Sequence, residues 1–583
     1  VMPEDQAAAL EEMSRRRSEA SAAIVSSAAQ KRLIVAGPGT GKSFTFQQAL
    51  KAVGGDGLAL TFIRNLVRDL ATDLDGLAEV FTFHGYCKYL MHRHDVAGLQ
   101  AGDYYPPLPE VIVEDILIRT GRVVKTQTIE ARLQNLDTSD GLIDEVLAQA
   151  DYYNAVSHTD LVYRVLGFFE AVPDSIPTYP LIVVDEFQDF SLLETTFIAL
   201  LGDKSRVLIA GDDDQALYKQ LRHASPDFIR ALAADDDYAV FELPYCSRCT
   251  SVIVAAVRDL LDVAIKAGNL QGRIPKNFDC YLPDKGAESA AHPKIIHAKI
   301  SSANTPYIGG YISQQIARIP PEDIARSREK GYPTALVIGP RPFLNKAFDV
   351  VVQNFPSARM KTSDKIEIDV LAGYKRIAGD DQSRLGWRIV VSARPFDGDQ
   401  ATLRAVFDEA AELAPALPEE YRDEHLELAR LVGVLIEGGA LSEDEEQRLT
   451  TAVERSMEAI SAFLGTDEDP ESTPSDDDVD LSEPDILFTS LVGAKGLSAE
   501  HVFIVGMNNG HFPRDRDNVS DEDVCKMLVA LSRTRKQCHV VSAGFFGSGQ
   551  LEQSVFLNVL KPHLRTVTVK KGGVPPVSWI SDG

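Results

Sequence analysis

Leu33-Ile34-Val35-Ala36-Gly37-Pro38-Gly39-Thr40-Gly41-Lys42-Ser43 sets a short apolar run against a glycine-rich turn, and a helical pattern opens directly after it. A branched run, a turn and a helix in that order make the crossover unit of a parallel sheet, since parallel strands need a helix to carry the chain back. In that setting glycines let backbone N–H groups curl around phosphates, and the helix N-terminus adds its dipole. The spacing assigns Gly37, Gly39, Thr40, Gly41, Lys42 and Ser43 to nucleotide binding, with Lys42 reaching the β and γ phosphates and the Ser43 hydroxyl ligating magnesium. Ala36 stands at the first position, where the pattern usually has glycine.

A second apolar run, Leu181-Ile182-Val183-Val184, ends in Asp185-Glu186-Phe187-Gln188-Asp189. Phosphoryl transfer to water needs a metal anchor and a group that orients or deprotonates the water. Asp185 suits the first role and Glu186 the second. Further runs at Leu58-Ala59-Leu60, Val207-Leu208-Ile209, Ala335-Leu336-Val337-Ile338, Ile486-Leu487-Phe488 and Val502-Phe503-Ile504-Val505 read as buried parallel strands, which implies an α/β fold. Between about 400 and 465 the pattern is helix alone, and residues 87–176 are also mostly helical.

The chain of 583 residues is long enough for several cores, and no apolar run approaches the roughly 20 residues of a membrane helix. Six scattered cysteines and an N-terminus without an apolar signal core predict a cytoplasmic protein. The net charge of -27 argues against coating nucleic acid by bulk electrostatics but leaves room for a local groove. Ten of the acidic side chains crowd into 466–485 with no Lys or Arg, so that stretch is expected to be a disordered linker. Cys246 and Cys249 form a C-x-x-C pair without a second pair at ligand spacing, which favours inert cysteines over zinc.

Asp185-Glu186-Phe187-Gln188-Asp189 resembles the second helicase motif of superfamily 1 in its UvrD/Rep/PcrA branch, and other motifs follow in that family's order over most of the chain. Thr61-Phe62-Ile63-Arg64-Asn65 and Thr82-Phe83-His84-Gly85 resemble single-strand contacts. Gly211 to Tyr218 resembles the motif whose Gln, here Gln215, senses the γ phosphate and whose aromatic, here Tyr218, stacks on a base. Tyr245-Cys246-Ser247-Arg248 is similar to the Asn-Tyr-Arg-Ser segment, with Arg248 in the arginine role. Ile366 to Ile389 loosely resembles a segment of the second motor domain. Ser490 to Ser498 resembles the fifth motif, and Val529 to Arg535 the last, with Arg533 as arginine finger.

The resemblance implies two RecA-like domains with parallel sheets, each carrying a mostly helical insertion: 1–86 and 177–275 for the first, interrupted by 87–176, then 276–399 and 486–583 for the second, interrupted by 400–465 and the acidic 466–485. It implies Lys42, Glu186, Gln215, Arg248 and Arg533 as catalytic, Tyr245 and Gly496 beside the nucleotide, and Ser43 with Asp185 on the metal. Thr61, Phe62, Asn65, Thr82, His84, Tyr218, Arg222 and Ser490 are the implied nucleic-acid contacts. The implied activity is an ATP- and Mg2+-dependent helicase or translocase with 3'-to-5' polarity, acting on single-stranded and tailed duplex DNA in repair, recombination or defence.

The chain departs from the family where base and ribose are read. Glu19-Ala20-Ser21 stands where the family carries an adenine-reading Gln, Ser247 where it carries a stacking ring, and Val492 and Ser498 where the fifth motif has His and Glu. Phosphate chemistry is untouched, so hydrolysis is expected. These departures, the acidic surface and the short stretch after the last motif motivate a rival reading: an ATP-gated DNA-sensing subunit working with a separate nuclease.

Overall fold

The computed structural model describes residues 4–61, 64–93, 104–217, 223–301, 306–361, 368–465 and 483–569. Two parallel sheets organise it. The first joins β1 (Lys31–Val35), β2 (Gly57–Thr61), β3 (Ala78–Thr82), β4 (Ile182–Val184), β5 (Val207–Gly211) and β6 (Tyr238–Glu242) in the order β3-β2-β4-β5-β1-β6. β2, β4 and β5 are buried along their whole length, as expected of branched strands covered on both faces. Register aligns Val35 with Gly211, and Leu60 with Val184, so the loops after β1, β4 and β5 emerge side by side. Carboxyl ends of strands in such sheets are where ligands bind.

After β6 a short parallel pair, β7 (Tyr245–Cys246) and β8 (Asp279–Cys280), leads to the second sheet. That sheet contains β9 (Ile295–Ile300), β10 (Ala335–Ile338), β11 (Arg359–Met360), β12 (Ile486–Thr489), β13 (Ala499–Val505) and β14 (Thr534–Ala543). The hairpin β15 (Phe545–Phe546) and β16 (Gly549–Gln550) follows, and β17 (Leu564–Val569) completes the order β11-β12-β10-β13-β14-β9-β17. Each sheet has its own buried apolar layers, which makes the fold α/β with two RecA-like units.

Two helical blocks are inserted between strands of the sheets, and the last helix of the first block, His158–Ala171, packs into the first sheet's core through Leu161, Val162, Val165, Leu166 and Phe169. Leu108–Thr120, Thr126–Gln134, Leu142–Tyr153 and His158–Ala171 interrupt the first unit; Asp399–Glu409, Glu419–Ile436, Glu443–Val453 and Met457–Gly465 interrupt the second. The blocks touch: Ala372, Leu385 and Ile389 are buried in the core of the first. The acidic stretch lies outside the described residues from 466 to 482.

Two element positions differ from the sequence reading. Val370–Gly379 and Arg384–Ala393 fall in 276–399, yet they pack with the helices beyond 400, burying Leu371, Tyr374, Trp387 and Val390 against Leu403, Leu428, Leu431 and Leu449. The second helical block thus begins near Val370. Helix Ser251–Lys266 falls in 177–275, but Ile253, Val254, Val257 and Leu260 share a core with Leu336, Val502, Leu528 and Leu531 of the second unit. An amphipathic helix goes where its apolar stripe finds cover, and linear order does not tell which sheet supplies it.

Candidate nucleotide site between the two sheets

The turn after β1 is built as a phosphate cradle. Gly39 (φ 69°) and Gly41 (φ 95°) adopt the left-handed region that side chains disfavour, and helix Lys42–Val53 starts immediately after them. The cradle is closed by Thr40 Oγ1 donating to the Gly37 carbonyl at 2.9 Å and Ser247 N–H donating to the Gly39 carbonyl at 2.9 Å. Glycine is also required sterically at Gly39, where a Cβ would stand 2.4 Å from Arg248 Cβ. Arg248 is thereby set against the loop. Lys42 Nζ rests 3.4 Å from the Ala36 carbonyl, partly exposed.

Asp185 and Glu186 follow β4. Burial, reinforced by the neighbouring Glu186, pushes the Asp185 carboxyl up to about 6, against the pull of Lys42. Burial also disfavours charge on Glu186, but Lys42 and Lys495 outweigh it and hold that carboxyl below its ordinary value. Glu186 sits at φ 56° and accepts a 2.6 Å hydrogen bond from Gln188 Nε2, so its direction is fixed by backbone and side chain together. Two adjacent carboxylates in one field therefore differ in proton affinity, the arrangement that separates roles in acid–base sites. The hard oxygens of Ser43 and Asp185 are the donors a magnesium ion prefers, and a cation would relieve the burial of the Asp185 charge.

The turn after β5 carries Asp212, Asp213, Asp214 and Gln215, all buried. The three carboxylates are close enough to hold a metal ion, but a cation already occupies their centre: Lys276 Nζ lies 2.9, 2.7 and 2.7 Å from Asp212, Asp213 and Asp214. Arg273 grips Asp214 with two hydrogen bonds at 2.9 and 2.7 Å, and Arg230 Nε reaches Asp213 at 3.1 Å. The cluster is a clamp that fixes the turn. Gln215 is aimed by it, donating from Nε2 to Asp212 at 2.6 Å.

The second unit closes over this wall. Arg533, at the end of helix Asp521–Ser532, donates from Nη2 to Gln215 Oε1 at 2.9 Å and is anchored by the carbonyls of Val529 and Leu497 at 3.0 and 3.1 Å. Burial first, then the nearby Arg248, lowers the proton affinity of Arg533. Lys495, buried beside Gly496 (φ 80°), donates to the Gln215 carbonyl at 2.6 Å, pairs with Asp189 and stands 3.8 Å from Glu186. Lys42, Glu186, Gln215, Arg248 and Arg533 thus line one junction between the sheets.

Tyr245 is buried in β7, its ring 6.1 Å from that of Tyr281. Thr61 ends β2 with its hydroxyl buried and unpartnered, whereas Thr82 Oγ1 accepts from Gly85 N–H at 3.0 Å as a turn cap. The His84 ring packs edge-on against His158 at 5.2 Å, and exposed Ser490 accepts from Gly493 N–H at 3.0 Å. Phe62, Tyr218 and Arg222 lie outside the described residues, as does the side chain of Asn65. The six cysteines are free and buried, and among the described residues no cysteine belongs to a group of potential metal ligands. Lys276, Arg273 and Arg17 were not singled out in the sequence, because each acts on residues distant along the chain.

The AAA domain family matches residues 20–220, the segment holding the first sheet's nucleotide loops. The chain is similar to the ATP-dependent DNA helicase PcrA of Staphylococcus aureus (strain Mu50 / ATCC 700699), 21% identical over 604 residues, covering 88% of this chain and 81% of the relative. It is similar at 20% identity over 620 residues, with the same coverage, to the helicase PcrA of Staphylococcus epidermidis (strain ATCC 35984).

Proposed function

We propose, for a chain that belongs to the superfamily 1 helicases of the UvrD/Rep/PcrA type, an ATP-driven motor that translocates 3'-to-5' on single-stranded DNA and opens tailed duplexes. The observation that carries this reading is the 2.9 Å bond from Arg533 of one unit to Gln215 of the other, beside Lys42 and Glu186. A phosphoryl group seated on Lys42 would meet Arg533 only while the units are together, so hydrolysis and closure depend on each other. In this scheme Glu186 accepts the proton of the attacking water, Gln215 orients the γ phosphate, and Arg248 and Arg533 stabilise the developing charge. Ser43 and Asp185 would hold magnesium, which when bound supplies charge neutralisation at the phosphates.

Single-stranded DNA would cross the carboxyl ends of β2 and β3 and the turn after β12, meeting Thr61, Thr82, His84 and Ser490, with Phe62, Asn65, Tyr218 and Arg222 adding stacking and polar contacts. We assign the helical blocks as accessory subdomains of the two motor units. The test is steady-state ATP hydrolysis with and without single-stranded DNA, run beside unwinding of a 3'-tailed duplex at fixed salt. Stimulation with strand separation supports the motor. Stimulation without separation favours the sensing subunit that needs a nuclease partner, and the absence of stimulation overturns both.

A further inference from the structure

The phosphate loop has a neighbour that its own motif does not specify. Helix Glu4–Ser26 lies across helix Lys42–Val53 and brings Arg17 to the loop, its Nη2 3.8 Å from where a Cβ would stand on Gly41. The guanidinium carbon lies 4.2 Å above the centre of the Tyr281 ring. That ring is fixed from three sides: Tyr281 N–H donates to the Cys246 carbonyl at 2.8 Å, its hydroxyl meets Ser14 Oγ at 3.0 Å, and Tyr245 stands 6.1 Å away. Since the next residue but one, Arg248, borders Gly39, the whole Tyr281 platform is tied to the cradle by backbone bonds.

The guanidinium itself is underused. Among the described residues its hydrogen bond is a 3.4 Å contact with Asp284, whose side chain is half exposed. A guanidinium carries five donors and no acceptor. In the first turn of helix Lys42–Val53, Phe44 is 58% exposed, an uncovered ring one residue beyond Ser43. A planar cation on an aromatic platform and a bare ring, both bordering one phosphate cradle, make a place for a flat, polar ligand group.

We infer that Arg17, held on Tyr281, reads the nucleobase of the bound triphosphate, and that the site accepts guanine at least as readily as adenine. This rests on the nucleotide-binding reading of the loop. The reasoning is donor–acceptor matching. Adenine presents an acceptor at N7 and a donor at N6, which suits an amide; guanine presents acceptors at both N7 and O6, which suits a guanidinium. Arg17 offers only donors, so it pairs twice with guanine and once with adenine. The stretch Glu19-Ala20-Ser21, one turn further along the helix, supplies no amide to restore the adenine match.

The test is competition for N-methylanthraniloyl-ATP, with Mg2+ present, by unlabelled ATP and GTP on the wild-type chain and on Arg17→Gln and Arg17→Lys. The wild type is expected to bind GTP more tightly than ATP, and Arg17→Gln to favour ATP by about tenfold or more, the size of one bidentate base contact. Arg17→Lys keeps the charge without the fork and should lose the GTP advantage. A wild type that prefers ATP by about tenfold overturns the inference. So does an Arg17→Gln variant that weakens both nucleotides equally, which would place Arg17 on the phosphates. Failure of the labelled nucleotide to bind the wild type, with Lys42→Ala indistinguishable from it, would remove the loop reading itself and this inference with it.

Discussion

Glu186 and Arg533 meet the same junction from opposite units, and their replacement separates binding from turnover. Glu186→Gln keeps the shape and the hydrogen bond from Gln188 while removing the proton acceptor, so kcat should fall by about 10²–10⁴ with nucleotide affinity preserved. Hydrolysis at the wild-type rate would reassign the base. Arg533→Lys retains a charge but cannot bridge Gln215, Val529 and Leu497 together, and a loss of about 10³ in kcat is expected with the fold intact by circular dichroism. These residues could be picked out in the sequence because each sits in a short motif, Glu186 directly after β4 and Arg533 between helix Asp521–Ser532 and β14. Lys276 could not be. It is 62 or more residues from the three aspartates it neutralises, and a lone lysine in Arg273-Ile274-Pro275-Lys276 carries no local signal. Burial opposes its charge, but Asp212, Asp214 and Asp213 prevail and raise its proton affinity.

Between elements, buried polar nodes do what strands and helices alone cannot: they fix one packing among several apolar ones. Arg388 is fully buried where the helical blocks meet, 2.7 Å from Asp115, which also accepts from Tyr153 at 2.6 Å and Gln149 at 2.9 Å. Asp115→Ala leaves a buried guanidinium without its main partner, and a loss of about 3–5 kcal/mol in denaturant unfolding is expected. Asp115→Leu combined with Arg388→Met should recover most of it. A second node joins helix Pro321–Glu329 to β13 and β14, where Asp323 pairs with Lys536 at 2.7 Å and His501 at 3.2 Å. Burial pushes the Asp323 carboxyl up, but hydrogen bonds from His501 and Lys536 outweigh it and hold it down to about 2. Its folded value is thus below the unfolded one, near 3.9. The stabilisation is complete above about pH 4 and is lost as pH falls towards 2, and Asp323→Asn should flatten the acid limb of a melting-temperature profile across that window. The strands β1, β2, β4, β5, β10, β12 and β13 were readable from their branched runs. β3, β6, β9, β11, β14 and β17 escaped because they are very short or because half-buried or charged residues such as Glu79, Glu242, Lys299 and Arg535 interrupt the apolar signal, and the partners of helix Ser251–Lys266 escaped because its stripe is the same whichever sheet covers it.

For the whole molecule the balance of charge bears on how an acidic chain could hold a polyanion. With a net charge of -27, the average field repels DNA at any distance where it is unscreened, so binding must come from contacts inside the groove at the strand ends. The two contributions respond oppositely to salt. Groove contacts weaken as counterions are replaced, while long-range repulsion fades as the Debye length shrinks from about 10 Å at 0.1 M to about 3 Å at 1 M. The observed slope of affinity against salt should therefore be shallower than the number of phosphate contacts alone predicts. The ten acidic residues of 466–485 provide the handle, since they are concentrated in one apolar-poor stretch of sequence and lie apart from every motif. Replacing them with Asn and Gln should tighten single-stranded DNA binding at low salt, steepen the salt dependence, and converge with the wild type near 1 M, measured by fluorescence anisotropy of a labelled oligonucleotide. If the tightening persisted undiminished at high salt, repulsion at a distance would be the wrong account, and the acidic stretch would have to compete with DNA for the groove by contact.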